Sequence, residues 1–317
     1  MMKKLSRLFI QDNRLCSGWR VILYLLCYLL GLLAVQMPVA VLYAAYLMLS
    51  QGLSSPTELL GAVQPEKLPL WFYLLLKTAE LIMLLPLTWA FRRFIDRRDF
   101  ASLGFHRDWR WMRDLLLGLA LGGVQIFAIF GLEWAGGWLS VELLAGPALA
   151  RGLAAGLMAV ALFVLVAVGE ELIFRGYLLT NLCDGSGPAV ALLLSSVIFG
   201  LFHALNPNFN LLALLNIALA GAGLGYALLL TGNLWLPMAY HFSWNFFQGA
   251  VLALPVSGAR YGGLLAVSDQ GAAPLITGAA FGPEGGIIGT LALLSTFPLL
   301  WLWGRRRRPV ELKMEVK

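Results

Sequence analysis

Residues 20–49 run for thirty positions with a single charge, Arg20, and further apolar stretches follow along the chain. About 20 consecutive apolar residues suffice for a helix to cross a bilayer. A chain built this way is constrained to be an all-α polytopic membrane protein. Composition agrees: 60% of the 317 residues are hydrophobic and 13% charged, where a soluble domain carries about 25% charged residues.

The apolar pattern predicts about eight transmembrane helices, at 20–49, 69–91, 112–135, 153–181, 188–205, 210–230, 234–255 and 286–303. Three regions follow: an N-terminal basic arm with two spans (1–100), a core (101–255), and a Gly-rich loop with the last span and a basic tail (256–317). Short turns at 184–188, 206–208 and 231–233 make successive helices antiparallel neighbours. The formal charge of +6 is a topology signal and does not mark a nucleic-acid partner, because the basic residues gather at span ends. With eight spans, eighteen Lys and Arg residues of the N-terminal arm, the 92–113 loop and the tail fall on one side. Both termini are then expected to be cytoplasmic, and the compact basic loops suit a bacterial cytoplasmic membrane. Segment 256–285 lies on the external side, with a flexible connector as the plain reading and a lid or re-entrant piece over the site as the alternative. Cys16, Cys27 and Cys183 have no metal-binding spacing.

Polar side chains interrupt three of these spans: Glu170, Glu171 and Arg175, then His203 behind Phe199, then His241 with Asn245. A charged residue at the bilayer centre costs roughly 2.5–3.5 kcal/mol or more, so such residues pair and usually mark function. Counted from the cytoplasmic helix ends, Glu170 and His203 lie about 20 Å deep, with His241 and Asn245 about 12 and 18 Å deep. The pairs Glu171/Arg175, Phe199/His203 and His241/Asn245 are each four residues apart, so each projects from one helix face. Gly200, Gly221, Gly223 and Gly225 allow close helix approach there. Lys77 and Glu80 read as a structural pair, His106 as a loop residue, and Trp235, Trp301 and Trp303 as interfacial anchors. Trp244 reads as packing beside the site. The 305–308 arginine run reads as a headgroup anchor.

These residue types allow two routes to amide hydrolysis. In one, Glu170 is the general base for a water that His203 also holds, while His241 and Asn245 donate to the oxyanion. In the other, Glu170, His203 and His241 hold Zn²⁺ with an open position for water. The sequence leaves both open, though it has no HExxH. A serine nucleophile is disfavoured because Ser195, Ser196 and Ser243 lie in no GxSxG turn. A non-catalytic scaffold or immunity partner is a rival reading. An ion-coupled transporter using Glu170, His203 and His241 as a relay is another, weakened by the lack of internal repeats.

The run Glu170-Glu171-x-x-x-Arg175, Phe199-x-x-x-His203 and His241-x-x-x-Asn245 resembles the three motifs of the CaaX-protease and bacteriocin-processing (CPBP) intramembrane endopeptidases. The likeness covers about residues 150–250. A weaker echo, Leu103-Gly104 and Asp114 to Gly118, extends it toward residue 100. It implies a CaaX-protease-like bundle of eight helices, acting on a peptide or membrane-protein substrate from within the bilayer. Glu170 and His203 would activate water, and His241 and Asn245 would form the oxyanion site. Glu171, Arg175 and Phe199 would be supporting groups. No cofactor is implied with certainty, so zinc stays an alternative.

Overall fold

The computed structural model describes residues 10–11, 14–64, 67–106 and 109–305. Lys3, Lys4, Arg7, Arg107 and the tail residues 306–317, all counted in the topology argument, lie outside the described residues. Two short strands, β1 (Ile10–Gln11) and β2 (Arg14–Leu15), pair before the first helix. Helix α1 spans Ser17–Gln51 and α2 spans Pro56–Ala62, the latter started by a Ser55/Glu58 capping box with proline in its first turn. Then come α3 (Leu70–Ala90) with a wider π-turn at Phe91–Ile95, and α4 (Trp111–Ala135). Helix α5 (Gly146–Glu171) runs through a π-helical stretch, Leu172–Leu179, into α6 (Thr180–Ser186). Helices α7 (Pro188–Phe202), α8 (Leu211–Thr231) and α9 (Trp235–Asn245) follow, α9 continuing as a π-turn at Phe246–Val251. A four-residue helix, α10 (Pro274–Thr277), precedes α11 (Ile287–Gly304).

The chain is an all-α polytopic membrane protein. Among the described residues six helices are long and apolar enough to cross a membrane: Ser17–Gln51, Leu70–Ile95, Trp111–Ala135, Gly146–Ser186, Leu211–Thr231 and Ile287–Gly304. The other two expected spans are helical but shorter. Helix α7 has 15 residues and stops at its C-cap His203, and α9 has 11 before its π-turn. Length and composition therefore support six spans and do not confirm eight. The expected turn at 184–188 also starts later, because α6 carries Asp184 within its last turn.

Large apolar side chains point outward all along the long helices, among them Leu30, Leu42, Leu49, Leu157 and Leu193. Inside, Tyr24, Leu172, Tyr177 and Leu178 are at the middle of the main core cluster. Tyr24 stacks on Tyr177 at 3.9 Å between ring centres. Beneath them lies a buried charge network. Asp96 accepts from Arg20 (3.2 Å), Arg92 (2.9 Å), Tyr177 (3.2 Å) and Asn181 (3.1 Å). Asp184 takes Arg20 and Arg98 at 3.2 and 3.1 Å. Arg20, Arg92 and Arg98 thus tie α1, α3 and α6 together, besides contributing to the charge bias along the sequence.

Segment 256–285 is not a loose connector. Its residues Leu265–Asp269 form β4, antiparallel to β3 (Leu139–Leu143) with Leu139 opposite Asp269. Asn216 of α8 donates to the carbonyls of Glu284 and Gly286 at 2.9 and 3.0 Å. Gly258 (φ 88°) presses so close to the turn after α7 that a Cβ would sit 2.0 Å from the Pro207 carbonyl. Only glycine combines that dihedral with that approach. The sequence reading missed this docking because Gly- and Ala-rich composition has no hydrophobic periodicity, while the contacts are made largely by backbone.

Candidate active site

Helix α9 brings His241 and Asn245 into the bundle because α4 lets it in closely. A Cβ on Gly118 would lie 2.4 Å from the Leu236 carbonyl, and one on Gly122 would lie 2.6 Å from that of Tyr240. The weak sequence echo at 114–118 is thereby a packing feature, extended by Asn233, which donates to Asp114 at 3.0 Å. The same approach places α9 against the end of α5, where Glu170 and Glu171 precede the π-helical stretch. Such widened turns recur at functional sites.

Neighbours in sequence, the two glutamates face different surroundings. Glu171 is fully buried, and its Oε1 accepts from Arg175 Nη1 at 2.9 Å and from His241 Nδ1 at 2.8 Å. Arg175 also donates to the Gly221 carbonyl at 3.2 Å and lies 4.1 Å over the Phe199 ring. A Cβ at Gly221 would come within 3.1 Å of the Ser196 Cα and 3.4 Å of Arg175 Nη2, so the small residue opens that carbonyl. Phe199 in turn meets the His203 ring edge-on at 4.8 Å. The three expected supporting residues therefore form one contiguous train behind the histidines.

Glu170 faces a cavity of about 550 Å³ that His203, His241 and Asn245 also line. Its Oε2 stands 3.9 Å from His203 Nε2 and 3.9 Å from His241 Nε2. It is buried with no hydrogen-bond partner among the described residues. That spacing is too long for a direct hydrogen bond and suits one bridging water. The partners also assign the tautomers. His203 Nδ1 lies 2.9 Å from the Phe199 carbonyl, which only accepts, so Nδ1 holds the proton. His241 Nδ1 likewise donates to the Glu171 carboxylate. Both neutral imidazoles then offer an Nε2 lone pair to the cavity, and His241 Nε2 becomes a donor only as imidazolium.

The zinc alternative fits these residues poorly. Two ligand atoms on one tetrahedral zinc, with arms of about 2.0–2.2 Å, sit about 3.3–3.5 Å apart. Glu170 Oε2 is 3.9 Å from each imidazole nitrogen. Among the described residues no group of three or more His, Cys, Asp or Glu side chains is placed to hold a metal ion. The serines are engaged elsewhere: Ser195 and Ser196 donate to the Leu192 carbonyl, and Ser243 to that of Leu119.

Several cavity residues had no functional signal in the sequence. Lys77 and Glu80 pair as expected, at 2.9 Å, and Tyr28 also donates to Glu80 at 2.7 Å. The pair nevertheless lines the cavity, as do Tyr261 and Glu284 from the last loop. Nothing local marks them, since Lys77 and Glu80 lie about ninety residues before Glu170, and Tyr261 and Glu284 follow Asn245 in the Gly-rich segment outside the motifs.

The sequence model of the type II CAAX prenyl endopeptidase Rce1-like family matches residues 152–247. No curated protein and no solved structure matches the chain. The matched segment starts within α5 and ends just past Asn245, so it holds every motif residue described above. That segment is similar to the Rce1-like family of type II CAAX prenyl endopeptidases, in agreement with the resemblance its three motifs carry.

Proposed function

We propose that this protein is an intramembrane endopeptidase that hydrolyses a peptide bond in or beside the bilayer. The observation that carries the reading is the Glu170 Oε2 atom, buried and held 3.9 Å from both imidazole Nε2 atoms. A water there donates one proton to Glu170 and the other to His203 Nε2. Glu170 takes its proton as the water oxygen attacks the scissile carbonyl, and later returns it to the leaving amine. Asn245 donates to the oxyanion. His241, oriented by Glu171 through Nδ1, lies beside the same oxyanion. One such donor is worth on the order of 10²–10³ in rate. No step is routed through a metal. The positive-inside bias further supports placing both termini in the cytoplasm of a bacterial cell.

The test uses the full chain in liposomes with a quenched-fluorescence peptide library. Parent protein, Glu170→Ala and His203→Ala are compared, each with and without a zinc chelator. Cleavage by the parent, lost in both variants and indifferent to chelator, is the expected result. A folded parent that cleaves nothing, or a Glu170→Ala variant as active as the parent, overturns the reading in favour of a scaffold.

A further inference from the structure

The family match stops at residue 247, and the next residue opens a set of contacts that lies outside it. Gln248, in the π-turn that continues the His241/Asn245 helix, donates through Nε2 to Glu284 Oε2 at 2.8 Å and also to the Pro255 carbonyl. The Trp244 indole and the Ser257 backbone N–H bond the same carboxyl. Glu284 is 6% exposed and lines the cavity, and its own carbonyl accepts from Asn216 of α8. One side chain thus joins the last loop, the end of α9 and the cavity wall.

We propose that Glu284 is a positioning residue: it docks segment 256–285 onto the turns that flank Asn245, and so builds the cavity wall formed by Val256, Ser257, Ala259 and Tyr261. Two of its donors, Trp244 and Gln248, are the residues one before and three after Asn245, so undocking the loop frees the helix that presents the oxyanion donors. The kinetic arm of the test rests on the peptidase reading, while the docking arm does not.

The carboxyl is pushed up to about 7 by burial, a rise only partly offset by hydrogen bonds from its own backbone N–H, Gln248, Trp244 and Ser257. The nearby titratable groups are Tyr261, on whose phenol Glu284 acts, and Tyr73 and Glu170, which act on the same phenol. A raised carboxyl binds its proton more tightly docked than free. Docking is therefore strongest below the ordinary carboxylate range and weakens as pH rises through about 7.

The experiment places Ala259→Cys in the full chain and measures maleimide labelling of that position, read on the peptide that carries it because Cys16, Cys27 and Cys183 are also free thiols, and normalised at each pH to the denatured protein. Normalised labelling of the parent should rise from the ordinary carboxylate range up to about pH 7, by up to about tenfold per unit, and level off above it. Glu284→Ala should label about tenfold faster at acid pH, having lost the buried acceptor of the Gln248 amide. Glu284→Gln, neutral and of the same shape, should label slowly with no pH dependence. Gln248→Ala should fall between. If Glu284→Ala fails to fold, the Glu284→Gln pH profile decides alone. In cleavage assays Glu284→Ala should raise KM more than it lowers kcat, and Glu284→Gln should remove the loss seen as pH rises to about 7. A parent whose labelling is flat with pH, or a folded Glu284→Ala that labels as slowly as the parent, overturns the proposal whatever the activity. Labelling as expected without peptide cleavage supports docking and counts against the peptidase instead.

Discussion

Glu170 and Glu171 have the same side chain and adjacent positions, yet one faces a cavity and the other is sealed against Arg175 and His241. The difference assigns them different work. Glu171 accepts from His241 Nδ1 and orients that imidazole, so Glu171→Gln should lower kcat by roughly 10²-fold or more while the protein stays folded. Peptide-cleavage kinetics check this, and an unchanged kcat would remove Glu171 from the site's electrostatics. The four-residue spacings that pair Glu171 with Arg175 and Phe199 with His203 were legible in the sequence, because helical i,i+4 proximity is local. Which glutamate faces the cavity came from the family resemblance and not from the spacing, since it depends on how α5 rotates against α9. Glu284 was invisible for the same reason, as no short-range pattern links it to Asn245.

At the scale of elements, the site depends on how closely α9 packs against α4. Valine at Gly118 would meet backbone atoms at 2.4 and 2.8 Å. Gly118→Val should therefore destabilise the protein by about 1–3 kcal/mol or more. Gly131, in the same helix but with nothing within 4 Å of where a Cβ would stand, is the control: Gly131→Ala should be neutral or up to about 1 kcal/mol stabilising. Thermal unfolding in detergent reads both, and a Gly118→Val protein as stable as the parent would show that the helices part without penalty. Helix existence was legible here from apolar runs and from starts such as Pro188 after Gly187. The π-turns at 91–95, 172–179 and 246–251 were not, because a widened turn has no sequence signature separate from the α-helix it interrupts.

For the whole molecule, charge distribution remains the strongest guide to orientation. Reporter fusions at the two ends should both read cytoplasmic and labels in segment 256–285 external. Termini on opposite sides would require an odd number of crossings and undo the proposed topology. The buried Asp96 network adds a second role for Arg20, Arg92 and Arg98, which the fold pairs with two aspartates. The sequence by itself determined that the chain is helical and membrane-embedded, and which polar residues sit within its helices. It did so because hydropathy and i,i+4 spacing are properties of consecutive residues. The tertiary structure alone decided that Glu170 stands equally far from two imidazoles, that α7 ends at His203, and that the last loop lines the cavity. Each of those depends on the distance between segments remote in sequence, which only packing sets.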